Sequence, residues 1–594
     1  AGGNHTTGTK NVYIGIEAGE ASTTSGSSVG IGYRALEAVT TANMNIAIGT
    51  QALTTNTVGD RNTAVGYQAL FQVDQASNED TDNVGVGMHA GRGITTGTQN
   101  VAIGSYAMED GSVTGDYNTA VGTYAAEMLT SGTQNTMIGG YAGEELTTGD
   151  YNTHVGYQAG GGVSANPHTG NYNSSLGRNA LSKIEGAAAG NTALGFGTLE
   201  NLTTASNNTA VGGAAMQSVT TGGNNVAVGN YSAEKLTEGD QNTYVGAYAG
   251  EEATTAEYNA IVGYNAGGGG SSSAATGNYN AALGFAALQN TTTGYQNIAV
   301  GSFAMQSTTE GDSNVAVGYQ ALDANTTGTD NVAIGRDALG SNVDDDGSVA
   351  VGRNSLRIAN NTGSAGVSYN TALGTNSGYN VTLGTQNTLL GYSAGFGVTE
   401  GLSNSCLGIN AGYGLTTGDN NLFLGKDAGR TGSPGGNITT GDNEIVLGDE
   451  NISEAHIQVD WTVASDARDK TDFTALDIGL DFVKALKPVT YKWDKRSKYG
   501  DKTAADYDLN AQTPDGTHKE DWLDIGFKAQ DVEALEIAAG YTKDNKTNLV
   551  SSHSDDGKQM GLQYSKFVPI LVKAIQEQQA LIESLTARIT TLEG

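Results

Sequence analysis

The chain has 594 residues, of which 37% are hydrophobic and 7% aromatic, and its formal net charge is −33. Residues 1–464 hold 12 Lys and Arg against 40 Asp and Glu, a net of −28, whereas residues 465–594 hold 17 against 22, a net of −5. So acidic a chain repels nucleic acid and anionic membranes, and no stretch has the length and apolarity of a transmembrane helix. We therefore expect no nucleic-acid partner and no membrane insertion.

A glycine recurs 25 times between Gly15 and Gly448, and 17 of the 24 intervals are 17 residues long. The residue before this glycine is Ile, Val or Leu in every copy, and the residue four positions before it is Asn in 22 copies. A fixed period of this length is typical of one structural unit stacked many times. The pattern predicts a repetitive β shaft over residues 1–448.

Each repeat is short enough for one strand and two turns. In Asn62–Gly66 the side chains of Thr63 and Val65 fall on one face and that of Ala64 on the other. The glycine ends the strand and permits a sharp turn, and turn residues such as Thr-Thr-Gly-Asp follow. Stacking then places Asn on Asn, which predicts a hydrogen-bonded ladder of side-chain amides. The fold class is mainly β, a β-solenoid or β-roll-like fibre with 17-residue repeats.

Five repeats are longer than the others, and their extra residues are expected to bulge from one face of the solenoid. Such insertions are either binding loops or sites where packing strain is relieved, and the sequence leaves both interpretations open. Paired acids in the turns are either solvated or calcium ligands. The five insertions are Phe71–Asp82, Gly160–Tyr172, Gly267–Tyr279, Arg357–Tyr369 and Arg430–Asp442.

The thin core of each repeat predicts an oligomer, because one Val and one Ala per layer bury little area. The only cysteine, Cys406, occupies a strand position and is expected to be a small filler residue, so no intrachain disulfide is possible. The seven histidines show no metal-ligand spacing, and the shaft shows no catalytic constellation. We expect no metal and no cofactor.

The repeat ends after Gly448, and residues 449–464 form a connector to an α+β domain at 465–594. Periodicity predicts a helix at 477–486, a strand at 488–493, a strand at 525–530 leading into a helix at 531–538, and a polar hairpin at 545–561 that holds His553. A heptad seam predicts a coiled coil at 566–594 and therefore an oligomer, although it favours a trimer only weakly. The seam is formed by Val568, Leu571, Ile575, Gln578, Ile582, Leu585, Ile589 and Leu592.

Four motifs in residues 465–594 resemble the intramolecular chaperone domain of phage tail fibres and tailspikes, the peptidase S74 family. They are Ser465–Lys470, Pro488–Trp493, Gly526–Val532 and Tyr564–Ile575. The resemblance implies a domain that trimerises, assists folding of the fibre and then cuts itself off at its own N-terminus. One departure is that Leu535–Ala539 lacks the proline expected after the helix.

The same resemblance assigns roles to residues of the first motif. It implies Ser465 as nucleophile, Lys470 as base, cleavage between Ala464 and Ser465, and supporting roles for Asp466 and Arg468. A serine hydroxyl needs a base to take its proton, and a lysine can serve where its environment favours the neutral amine. Taken without the family, Ser-Asp-x-Arg-x-Lys is typical of a helix cap.

The repeats also resemble, more distantly, the head repeats of trimeric bacterial surface adhesins, which share an Ala-Ile/Val-Gly-x-x-Ala pattern. The leading hypothesis is a homotrimeric, extracellular tail fibre of a phage virion. It would attach to other tail or virion proteins and bind a host-surface receptor, with a glycan as the expected ligand. The alternative is an adhesin or structural fibre of a bacterial or virion surface with no specific receptor. A polysaccharide-cleaving spike is disfavoured because it needs facing carboxylates in a groove.

Overall fold

The computed structural model describes residues 1–77, 80–268, 274–359, 367–458, 461, 463–501, 506–542, 550–554 and 556–594. The chain divides into two compact units, Ala1–Asp337 and Ala338–Gly594. Both units contain solenoid turns, and the second also contains the connector and the C-terminal α+β domain. No helix within the described ranges is long and apolar enough to cross a membrane.

Each solenoid turn contributes one three-residue strand. In the first unit the strands are β1 Val12–Ile14, β2 Val29–Ile31, β3 Ile46–Ile48, β4 Thr63–Val65, β5 Val84–Val86, β6 Val101–Ile103, β7 Thr119–Val121, β8 Thr136–Ile138, β9 Thr153–Val155, β10 Ser174–Leu176, β11 Thr192–Leu194, β12 Thr209–Val211, β13 Val226–Val228, β14 Thr243–Val245, β15 Ala260–Val262, β16 Ala281–Leu283, β17 Ile298–Val300, β18 Val315–Val317 and β19 Val332–Ile334. In the second unit they are β20 Val349–Val351, β21 Thr371–Leu373, β22 Thr388–Leu390, β23 Ser405–Leu407, β24 Leu422–Leu424 and β25 Ile445–Leu447.

Within each unit, every strand pairs parallel and in register with the strand of the next turn. Ile46, Ala47 and Ile48 of β3, for example, lie opposite Thr63, Ala64 and Val65 of β4. One strand per glycine repeat, stacked in parallel, is the arrangement that the 17-residue period predicts, so the β-solenoid is confirmed.

The glycine after each strand permits close stacking of the turns. Gly139, at φ 136°, is typical, because a Cβ built on it would lie against the carbonyl oxygen of Gly156 in the next turn. Backbone at this φ is essentially restricted to glycine. The repeat glycine is therefore fixed both by its conformation and by the close approach of the neighbouring turn.

The solenoid interior is filled by small side chains. The middle residue of most strands is buried, as are the alanine three positions after the glycine and the leucine or methionine that often follows it, such as Ala64, Ala69 and Leu70. The repeat asparagines form the predicted ladder along the stack. The backbone N–H of Asn62 donates to Oδ1 of Asn45 at 2.8 Å, and Nδ2 of Asn45 donates to the Gly59 carbonyl at 2.9 Å. These bonds satisfy polar groups that the narrow interior would otherwise leave without partners.

The insertion Gly160–Tyr172 leaves the stack and then returns to it. Residues 164–166 of Gly160–Tyr172 are exposed, whereas the following His168 is buried and forms a parallel bridge with Leu146 of the turn before. Residues 78–79, 269–273 and 360–366 lie outside the described residues, so Phe71–Asp82, Gly267–Tyr279 and Arg357–Tyr369 are described only in part.

The C-terminal domain contains short helices and strands and ends in one long helix. Its elements are α1 Leu480–Ala485, β26 Val489–Tyr491, β27 Asp524–Gly526, α2 Ala529–Ala538, β28 Ser551–His553, β29 Met560–Leu562 and α3 Phe567–Glu593. β26 pairs antiparallel with β27, and β28 pairs antiparallel with β29. A small core holds these elements together and includes Ile478, Phe482, Val532, Val550, Phe567 and Ile570. The predicted helices at 477–486 and 531–538 and the strand at 488–493 have counterparts with shifted ends, and the strand predicted at 525–530 is shorter because α2 begins at Ala529. Residues 545–549 and 555 of the predicted hairpin lie outside the described residues.

Candidate functional site: the connector end and an outer strand face

The candidate cleavage site lies on an extended, exposed segment. Ala464 and Ser465 are both exposed and follow a connector whose described residues from Asn451 onward are exposed. No strand or helix covers them within the described part of the connector. A scissile bond must leave regular structure to be attacked, and this segment meets that requirement.

A 3-10 turn, Ala467–Asp469, shapes the chain directly after Ser465. The Asp466 carboxylate caps it by accepting the backbone N–H of Arg468 at 2.9 Å. The Arg468 guanidinium also donates to this carboxylate, with Nη2 at 2.6 Å from Oδ2. These two hydrogen-bond donors of Arg468, the guanidinium first, lower the pKa of the Asp466 carboxyl. Asp466 and Arg468 thus hold the turn together through their hydrogen bonds.

The turn brings Ser465 and Lys470 together. Nζ of Lys470 donates to Oγ of Ser465 at 2.6 Å, although five positions separate the residues. The backbone N–H of Lys470 donates to the Ala467 carbonyl and closes the turn between them. A nucleophile and a base within hydrogen-bond reach form the arrangement that serine–lysine chemistry requires.

In the single chain, Ser465 and Lys470 contact each other but are not buried. Ser465, Asp466, Arg468 and Lys470 are all exposed. A lysine acts as a base where its amine is removed from water or lies beside another cation. In the single chain, the Lys470 amine therefore remains in contact with water.

Burial keeps three titratable groups of the solenoid in their neutral forms. Burial raises the pKa of the Cys406 thiol to about 12, which keeps it protonated. Burial lowers the pKa of His154 to about 3 and that of His168 to about 4, so both rings are neutral. In the C-terminal domain, Nε2 of His553 lies 2.6 Å from a carboxylate oxygen of Glu533.

Two groups of three acids in the described residues lie close enough for one cation, Glu17–Glu20–Glu37 and Glu109–Asp110–Glu127. In the second group, burial first, and then the Asp110 and Glu144 carboxylates, raise the pKa of Glu127 to about 7. Glu109 is already paired with Nδ1 of His89 at 2.5 Å. Stacked acids of this kind are expected on a shaft with so large a negative charge, and nothing beyond the cluster itself indicates a cation.

The feature that sequence reasoning missed is an apolar outer face. All 25 residues that precede the repeat glycine are at least partly exposed, because they point away from the buried middle residue of the strand. The residue at the other end of each strand also points outward and is Val, Ile, Leu, Thr, Ser or Ala. We call these two columns the outer strand face. The small size of the middle residue could have indicated which face of the strand points into the narrow interior, since Ala or Gly occupies that position in most turns.

Comparison with protein-family models finds one match, at residues 465–541, to the family described as chaperone of endosialidase, the peptidase S74 family. The match begins at the predicted nucleophile and confirms the resemblance; it includes three of the four motifs, whereas Tyr564–Ile575 lies beyond its end. It covers the first part of the C-terminal domain and none of the solenoid. A comparison with curated proteins found no match for the chain. Residues 465–541 are therefore similar to this chaperone family, and the residues before the connector form stacked β-solenoid turns.

Proposed function

We propose that the protein is a homotrimeric phage tail fibre or related virion fibre whose C-terminal domain assists trimeric folding and then cuts the chain before Ser465. The carrying observation is the 2.6 Å contact between Lys470 Nζ and Ser465 Oγ, in a segment that matches the chaperone family and follows a repetitive shaft. The shaft would be residues 1–448, the connector 449–464 and the chaperone domain 465–594, with α3 as the coiled-coil segment of 566–594.

The cut follows from the order of the residues. Neutral Lys470 takes the Oγ proton of Ser465, and Oγ attacks the carbonyl carbon of Ala464. The C–N bond breaks as the Ser465 nitrogen gains a proton, which leaves an ester between Ala464 and Ser465 Oγ. Water then hydrolyses this ester and gives a carboxylate at Ala464 and a free amine at Ser465. The enzyme activity is a single turnover on the chain itself.

Trimer formation is supported by two exposed apolar surfaces. On α3 the seam residues Val568, Ile575 and Leu585 are each more than half exposed. In the shaft, the outer strand face leaves the column of Ile, Val and Leu before the repeat glycines at least partly exposed in every turn. Large contiguous apolar surfaces of this kind mark association sites. Packing three copies about the outer strand face and the α3 seam would cover both.

Attachment to a host-surface receptor, with a glycan as the expected ligand, is the proposed role of the shaft. The exposed loop of the Gly160–Tyr172 insertion supports it, because a repetitive rod can vary such loops without disturbing its stack. The surface adhesin without a specific receptor remains the second candidate. Deleting residues 163–166 restores the 17-residue interval. A fibre that stays trimeric but adsorbs less to host cells supports the loop as a receptor contact, and unchanged adsorption contradicts it.

The cleavage proposal is tested by the masses of chains denatured after folding. The wild type should give two fragments, one ending at Ala464 and one beginning at Ser465. Ser465→Ala and Lys470→Ala should each give one intact chain, whereas Lys487→Ala, which removes an exposed lysine of the same domain, should be cut normally. An intact wild-type chain under all conditions would mean that the domain has no protease activity.

A further inference from the structure

The fifth insertion, Arg430–Asp442, differs from the second, Gly160–Tyr172, in what it contacts. Gly432 and Gly436 are buried, whereas Pro434 and Gly435 are exposed, as are residues 164–166 of the second insertion. Both buried glycines lie against the C-terminal domain, which belongs to the same compact unit. Part of this insertion is therefore committed to a contact with the domain.

Two glycines bring the insertion against the domain. A Cβ on Gly436 would lie 2.6 Å from Cβ of Ser554, and one on Gly432 would lie 2.8 Å from Cβ of Ser497. The backbone N–H of Asn437 donates to Oδ2 of Asp556 at 3.3 Å. No side chain larger than hydrogen fits at either glycine without displacing the domain.

A lysine adds a charged contact beside the glycines. Nζ of Lys495 donates to the carbonyl oxygen of Glu450 at 2.6 Å, just beyond the last solenoid strand. The same ammonium lies 4.0 Å from a carboxylate oxygen of Glu520 in its own domain, and that of Lys498 lies 3.9 Å from it. Lys495 and Lys498 thus share an acidic partner, but the hydrogen bond to Glu450, at the start of the connector, belongs to Lys495.

We propose that the Arg430–Asp442 insertion and residues 449–450 form a docking platform that holds the chaperone domain on the shaft after the chain is cut. The scissile bond lies in the connector, beyond the platform, so cleavage leaves both sides of this contact intact. The cut chain is then a non-covalent complex, and the domain continues to cap the end of the solenoid. Retention of the domain after cleavage rests on the proposed function, whereas the contact between the insertion and the domain does not depend on it.

The test separates docking from self-cleavage by cutting the chain with an added protease. In a Ser465→Ala chain, a specific protease recognition sequence replaces the exposed residues 453–458. After the added protease has cut, shaft and domain should co-elute in gel filtration at physiological salt and separate only in denaturant. Immediate separation under native conditions would overturn the proposal, and it would leave the question of self-cleavage untouched.

Matched variants locate the contact. Lys495→Met should release the domain at least tenfold faster than Lys498→Met, which leaves the bond to Glu450 in place. Gly436→Val should release it, whereas Gly516→Val should not, because Gly516 has a similar positive φ but faces open space. Equal release within either pair would contradict the assigned platform. The lysine pair keeps the test valid if Gly436→Val fails to fold.

Discussion

At the scale of single residues, Gly139 and Gly140 are neighbours with different requirements. Gly139 has a φ of 136° and lies against the backbone of the next turn, whereas a Cβ on Gly140 would meet nothing closer than 3.6 Å. Gly139→Ala should therefore destabilise the shaft by about 2 kcal/mol or more, and Gly140→Ala should be nearly neutral. Melting temperatures of the two variants check this. Equal shifts would mean that the close turn-to-turn approach does not limit this position.

His154 and His168 are a pair of buried rings in adjacent turns, with centroids 6.0 Å apart. Nδ1 of His154 contacts Oγ of Ser175 at 2.8 Å, and Nε2 of His168 accepts from Asn173 at 3.1 Å. One nitrogen of each ring has no hydrogen-bond partner in the described structure. The fold thus holds both rings neutral and offers little to stabilise a proton.

The pair should make the shaft sensitive to acid. Their folded pKa values of about 3 and about 4 lie below the ordinary value of 6.5, so the unfolded chain binds protons first as the pH falls. Their contribution is complete above pH 6.5 and is lost on acidification toward pH 4, at up to about 1.4 kcal/mol per histidine per pH unit. His154→Ala should melt with a smaller difference between pH 7.5 and pH 5 than the wild type. An unchanged difference would show that the ring is not buried neutral.

At the scale of elements, the outer strand face should control association and not the fold of each turn. Leu373 on that face is 49% exposed, and Leu383 in a turn of the same repeat is 45% exposed. Leu373→Glu should weaken the trimer because it places a charge in an apolar contact, whereas Leu383→Glu should leave it intact. Dissociation on dilution, followed by light scattering, distinguishes them. If both variants dissociate alike, the outer strand face is not the contact between copies.

Strands and turns could be predicted from sequence because the same local pattern of residue types recurs in 25 repeats. The alternation in Thr63–Val65 indicated two faces, but period alone does not say which face is inside. That choice depends on how tightly the next turn packs, which the structure shows through buried Ala64. Likewise, the five insertions look equivalent in sequence. Only tertiary contacts with Ser497 and Ser554 distinguish Arg430–Asp442 from Gly160–Tyr172.

For the candidate cleavage site, the residues could be predicted from sequence but their surroundings could not. The resemblance supplied Ser465 and Lys470 as a pair, and local turn chemistry at Asp466 explains why five positions of separation still permit contact. What covers the pair could not be predicted, because burial depends on chains that approach it in the assembly. The departure at Leu535–Ala539 lies at the C-terminal end of α2, away from this turn in sequence.

At the scale of the whole molecule, the near-identity of the turns creates a folding problem. Strands with the same alternation can pair in shifted registers, and a shift by one whole repeat costs little. A trimerising end would fix the register of three chains before the strands of the shaft pair. Residues 1–464 expressed alone should therefore be largely insoluble, whereas the Ser465→Ala full chain should be soluble. A soluble, trimeric shaft without the C-terminal domain would contradict its role as a chaperone.

The most direct test of the account is the native molar mass of the Ser465→Ala chain, which should stay whole and so give one species. Multi-angle light scattering should find three times the 60.7 kDa chain mass. This mass is expected because the thin core, the outer strand face and the α3 seam all need contacts with other copies of the chain. A monodisperse particle of 60.7 kDa would contradict the trimeric fibre.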